Sequence, residues 1–94
     1  MEHNPFISLN DETEITYSDL KKNNEKEYIT IYFETPNVNV TSGFNSACCD
    51  YPIGHIKSII GYTEQEIGIL QQYIDKAGII ALEAAKEEAY CQVL

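Results

Sequence analysis

From Glu27 to Thr35 almost every position is β-branched or aromatic: Tyr28, Ile29, Thr30, Ile31, Tyr32 and Phe33. Such a run reads as a central strand. Its alternation puts Ile29, Ile31 and Phe33 on one face and Tyr28, Thr30 and Tyr32 on the other, an aliphatic core side and a half-polar side open to solvent or to a partner. Thr35-Pro36-Asn37 ends the strand, because proline removes a ladder donor and restricts the residue before it. Upstream, Lys21-Lys22-Asn23-Asn24-Glu25-Lys26 has turn chemistry and is the one locally basic segment, which predicts a solvated hairpin tip. Before that, Phe6, Ile7 and Leu9, then Ile15, Tyr17 and Leu20, predict a loose start followed by a strand. After Pro36, the apolar positions Val38, Val40, Phe44 and Ala47 predict a further hairpin bending near Thr41-Ser42-Gly43. Asp50-Tyr51-Pro52-Ile53-Gly54 is a break, and Ile56, Ile59 and Ile60 ahead of Gly61 fit an edge strand or an irregular crossing.

The period then changes from two to 3.6. Thr63 is a good N-cap, Glu66 completes a capping box with it, and Tyr62 and Ile67 occupy the staple positions. Ile67, Leu70, Ile74, Ala77, Ala81 and Ala84 recur at steps of three and four, the stripe of a helix lying on a sheet. Tyr73, Ile80, Leu82, Ala85 and Ala89 widen this apolar surface beyond one narrow face, leaving enough for a second contact such as a dimer seam. Gly78 lies mid-pattern at about 1 kcal/mol relative to alanine and marks close packing, a bend or a break. These elements predict one α+β domain over residues 1–94: a small antiparallel sheet of three to four strands packed against one long C-terminal helix.

Charge narrows the function classes. Fifteen Asp and Glu stand against six Lys and no Arg, for a formal charge of -9 and a pI near 4.4. Phosphate recognition draws on clustered Lys and on the Arg fork, so direct nucleic-acid binding and anionic membranes are disfavoured. A basic protein surface suits this field, since complementary potentials speed encounter and exclude wrong partners. With 44% apolar residues and seven Tyr the chain is expected to fold around a real core. No basic region followed by an apolar run opens the sequence and no apolar stretch reaches membrane-spanning length, so the expectation is a soluble, cytoplasmic protein. Cys48, Cys49 and Cys91 cannot all pair within one chain, which fits a reducing compartment.

Candidate chemistry is sparse. A thiol nucleophile at Cys48 or Cys49, His55 as base and Asp50 as its orienter would be the one arrangement resembling a triad, and the local pattern matches no known signature. Cysteine in a small domain is more often a buried small hydrophobe. Metal-ligand spacing is absent, and Asp11, Glu12 and Glu14 lack the glycine and periodic oxygen ligands of a calcium loop. No glycine-rich phosphate loop is present, and Glu64 and Glu66 at the helix start would repel a phosphate. The expectation is therefore no cofactor, no metal and no enzymatic activity.

In size, acidity and lack of catalytic motifs the chain resembles the small inhibitor and antidote proteins of phages and mobile elements, among them anti-CRISPR proteins, nuclease inhibitors and antitoxins. This is a likeness of composition and covers no motif. It implies a non-enzymatic binding protein that masks a basic partner surface, such as a nuclease or another nucleic-acid-binding protein. The candidate contact residues are Asp11, Glu12, Glu14 and Asp19 near the N-terminal strand, Glu83, Glu87 and Glu88 on the late helix, and Tyr28 and Tyr32 as aromatic anchors. The alternative is a structural homodimer or assembly subunit pairing through the helix face or a sheet edge.

Overall fold

A computed structural model describes residues 3–91 of the chain. Six strands and one helix follow in order: β1 (His3–Ser8), β2 (Glu14–Ser18), β3 (Lys21–Asn23), β4 (Lys26–Pro36), β5 (Phe44–Tyr51), β6 (Ile56–Ile60) and α1 (Glu64–Cys91). The strands form one antiparallel sheet in the order β1-β2-β4-β5-β6, with β3 also pairing to β4. The expected three to four strands are thus corrected to six. Two of the additional ones have compositions that hide a strand: β1 contains Pro5 and shifts register between Pro5 and Ile7, while β3 is the polar Lys-Lys-Asn. β6 is an edge strand.

β4 is the axis of the molecule. Its second half pairs with β2, from Tyr17↔Ile31 to Glu14↔Glu34, and its first residues pair with β3. Between them the ladder is interrupted at Ser18, whose Oγ accepts the Thr30 backbone N–H at 2.9 Å and donates to the Asp19 carbonyl. A side chain thus supplies the bond that the ladder lacks there. The β3–β4 turn has two central residues, Asn24 and Glu25, both at positive φ (52° and 69°), as a tight hairpin turn that follows the strand twist requires. Val38 and Val40 belong to the β4–β5 loop rather than to a strand, and Val38 is 97% exposed.

The core lies between the sheet and α1. Ile29, Ile31 and Phe33 of β4, Ile15 and Tyr17 of β2, and Ala47 and Cys49 of β5 face Leu70, Ile74, Ala81, Leu82 and Ala85 of the helix. Each of these is buried because alternation in the strands and the 3.6 period in the helix converge on one interface. α1 runs antiparallel to β4: Tyr62, just ahead of it, bonds Thr35, while Lys86 and Tyr90 near its far end reach Glu27. The helix is continuous through Gly78. A Cβ there would fall within 3.0 Å of three atoms of the Tyr51 ring, so the glycine marks close packing rather than a break. The opposite sheet face, carrying Thr16, Tyr28, Tyr32, Cys48 and Lys57, is not covered by any described element.

Candidate functional site

The two ends of the sheet differ in charge because the strands and the helix bring together residues distant in sequence. At the end where α1 begins, the β1–β2 turn supplies Asp11 and Glu12, the start of β2 Glu14, the end of β4 Glu34, and the first helical turn Glu64 and Glu66. None of the six lysines is there. Lys21, Lys22 and Lys26 belong to the opposite hairpin, Lys57 pairs with Asp50, Lys86 with Glu27, and Lys76 is mid-helix. The molecule is therefore polarised along its 45 Å length.

The acidic end is organised around a row of hydroxyls. Thr13 and Thr35 are joined across β2 and β4 at 2.7 Å, and Thr35 is joined to the Tyr62 hydroxyl at 2.8 Å. Asp11 closes the turn by accepting the Thr13 backbone N–H at 3.1 Å, and its bonds to Thr13 hold its carboxyl below the usual range. Burial pushes the Tyr62 phenol up, and the carboxylates of Glu66, Asp11 and Glu34 push it further against the opposing bond from Thr35. Three acids from three elements thus act on one hydroxyl. Beside it opens a cavity of about 380 Å³, lined by the polar side chains of Asp11, Tyr62 and Glu66 and by Leu9, Ile69 and Tyr73. Such a site fits the end of a lysine or arginine side chain, stem against the apolar wall and cation among the carboxylates.

The helix start is built as its sequence dictates. Glu66 N–H donates to Thr63 Oγ1 at 3.1 Å and Thr63 N–H donates to Glu66 Oε1 at 2.8 Å, the reciprocal capping box. Glu64 and Glu66 also complement the positive pole of the helix dipole. This capping leaves Glu66 Oε2 free of that exchange.

The candidate contact residues do not form one group. Asp11, Glu12 and Glu14 are at the acidic end, where Glu34, Glu64 and Glu66 join them. Asp19 parts from them: it accepts from Asn4 and lines a separate hollow with Glu88, which accepts from the Tyr17 hydroxyl at 3.1 Å. Glu83 and Glu87 point to solvent on α1. Tyr28 and Tyr32 are on the open sheet face, Tyr32 stacked with His3 at 3.7 Å between ring centroids and Tyr28 with Lys21 Nζ 5.8 Å from its ring. Glu34 carried no sequence signal, whereas Glu64 and Glu66 were visible as the charged first turn.

The thiol arrangement is taken apart by the sheet. Cys49 faces the core, where burial first and the Asp50 charge second push its thiol up to about 11, so it is protonated at neutral pH. Cys48 points to the other face, as alternation demands. Asp50 is occupied: Lys57 Nζ donates to Oδ2 at 2.9 Å, Thr30 Oγ1 donates to Oδ1 at 2.7 Å, and Lys21 Nζ donates to Thr30 Oγ1 at 3.0 Å. Among the described residues His55 makes no hydrogen bond to either cysteine, and the side chain of Cys91 lies outside them. No group of three or more His, Cys, Asp or Glu is arranged to hold a metal among the described residues, and no described helix is long and apolar enough to cross a membrane. Comparison with protein-family models, curated proteins and solved structures gives no match.

Proposed function

We propose that the chain is a non-enzymatic binding protein of the cytoplasm whose acidic end masks a basic surface on a partner protein, in the manner of an inhibitor occupying the nucleic-acid groove of a nuclease. The observation that carries this reading is the segregation of six carboxylates, unaccompanied by lysine, at the end of the molecule where the cavity beside Tyr62 opens, two of them, Asp11 and Glu66, lining it. A field of one sign at one end orients an approaching partner, and the cavity gives a single basic side chain somewhere to lodge.

The test reverses charges that have no hydrogen-bonding duty in the fold. Glu12, Glu34 and Glu64 are exposed. The expected result is that a basic protein retained from host lysate by the tagged chain is released by salt, and is not retained by the Glu12→Lys/Glu34→Lys/Glu64→Lys variant. Reversal of Glu25 and Glu87 at the other end should leave retention unchanged. Loss of binding in that control, with the triple variant still binding, would overturn the assignment.

A further inference from the structure

We propose that the outward face of α1 is self-complementary and pairs with the same face of a second copy, antiparallel about a two-fold axis between Ile79 and Ile80. The large apolar side chains that this helix leaves in solvent are Ile69, Ile79, Ile80 and Tyr90, exposed by 49%, 47%, 57% and 54%. They are placed symmetrically. Counting outward from the midpoint of Ile79 and Ile80, Ile69 and Tyr90 are equidistant, as are Lys76 and Glu83, and as are Gln72 and Glu87. All eight are exposed. Ile69, Lys76, Glu83 and Tyr90 recur at seven-residue intervals, so they form one nearly straight seam along the helix.

A dyad through that midpoint sets each residue against one it complements, apolar against apolar and Lys against Glu. The isoleucines of the two copies form one apolar layer at the axis. On either side of it Lys76 meets the partner's Glu83, giving two ion pairs, and beyond these Gln72 meets the partner's Glu87 and Ile69 meets the partner's Tyr90. Neither Lys76 nor Glu83 makes an ion pair within its own chain among the described residues. Glu83 and Glu87 stand one turn apart as like charges, a repulsion that Lys76 of a second copy relieves. An isologous contact requires this kind of self-matching, which a random solvated face does not have.

The sheet edges are poor competitors for a second copy. β1 contains Pro5 and a register shift, and β6 carries Lys57, a register shift opposite Ser46 to Cys48, and Ser58 at φ 56°. Proline, lysine and bulges are the devices that blunt an edge against strand addition. About eight side chains from each copy is well below the roughly 20–30 of a standard interface, so the pairing is weak and concentration-dependent.

Sedimentation of the full chain over a range of concentrations tests this, with circular dichroism confirming that each variant is folded. The native chain should pass from monomer to dimer. Lys76→Glu and Glu83→Lys, each alone, place like charges across the dyad and should each weaken self-association by about tenfold or more. The double variant should recover it, and an equimolar mixture of the two single variants should form a heterodimer, since each then supplies what the other lacks. A chain that stays monomeric at all concentrations, single variants that associate as the native chain does, or a mixture that stays monomeric would each overturn the proposal.

Discussion

Gly78 shows how one side chain's absence is enforced by a neighbour. In an exposed helix, Gly→Ala stabilises by about 1 kcal/mol. Here the new methyl would press on the Tyr51 ring, and overpacking costs about 1–3 kcal/mol, so Gly78→Ala should lower stability in denaturant unfolding. In a Tyr51→Ala background the same substitution should become stabilising. Asp50 gives a second residue-scale expectation. Burial alone would raise its carboxyl, yet the bonds from Lys57 and Thr30 and the nearby lysine charges leave it below its ordinary value. A folded value lower than the unfolded one, near 3.9, means that the stability it contributes is fully present above that pH and is lost as pH falls through the folded value. The stability gap between the native chain and Asp50→Asn should therefore be constant near neutrality and shrink at the acid end, as read by thermal unfolding across pH. For the thiols, Cys48 should be modified by a maleimide faster than Cys49, which is buried and protonated, and equal rates would show that the core opens readily.

At the scale of elements, the start of α1 and the run of β4 were legible because each carries a local signal strong enough to stand alone. Thr63→Ala removes one half of the reciprocal cap and should cost about 1 kcal/mol in global unfolding. β1 and β3 were not legible, and for a common reason: an edge or a short ribbon takes its strand character from the partner's ladder rather than from its own side chains. Pro5 and the Lys-Lys-Asn of β3 speak against a strand until β2 and β4 stand beside them. The same hairpin holds an unfavourable residue. Glu25 sits at φ 69° in a turn whose second position favours glycine, so Glu25→Gly should stabilise by about 0.5–1 kcal/mol, measured by the shift in unfolding midpoint.

For the whole molecule, the acidic character was plain from composition but its distribution was not. Asp11, Glu34 and Glu66 are separated by more than twenty residues each, and no periodicity links them; only the antiparallel return of β4 and the reversal into α1 gather them around Tyr62. The sequence grouped Asp19 with Asp11 because they are close in the chain, whereas the Ser18 interruption and the length of β2 send it to the opposite end. The polarity predicts a measurable large-scale property: binding of a basic partner to the acidic end should weaken steeply with salt, because exposed charges are screened beyond about 10 Å at 0.1 M. Pairing through α1 should depend on salt less steeply, since screening weakens its two exposed ion pairs and the mutual repulsion of two copies each at -9 together.

The order of the sheet bears on how the chain is made. Four of its five ladders, β1–β2, β3–β4, β4–β5 and β5–β6, join segments adjacent in sequence, and the fifth skips only the short β3. As the polypeptide leaves the ribosome, each strand finds its neighbour already present, and the sheet is complete once Ile60 has emerged. Its cover is not. Until the 28 residues of α1 follow, Ile15, Ile29, Ile31 and Phe33 form an open apolar surface. The nascent chain is thus most vulnerable to aggregation between the emergence of Ile60 and that of α1, and a chain stopped before Glu64 should be insoluble, or held by a chaperone, where one that includes α1 is not.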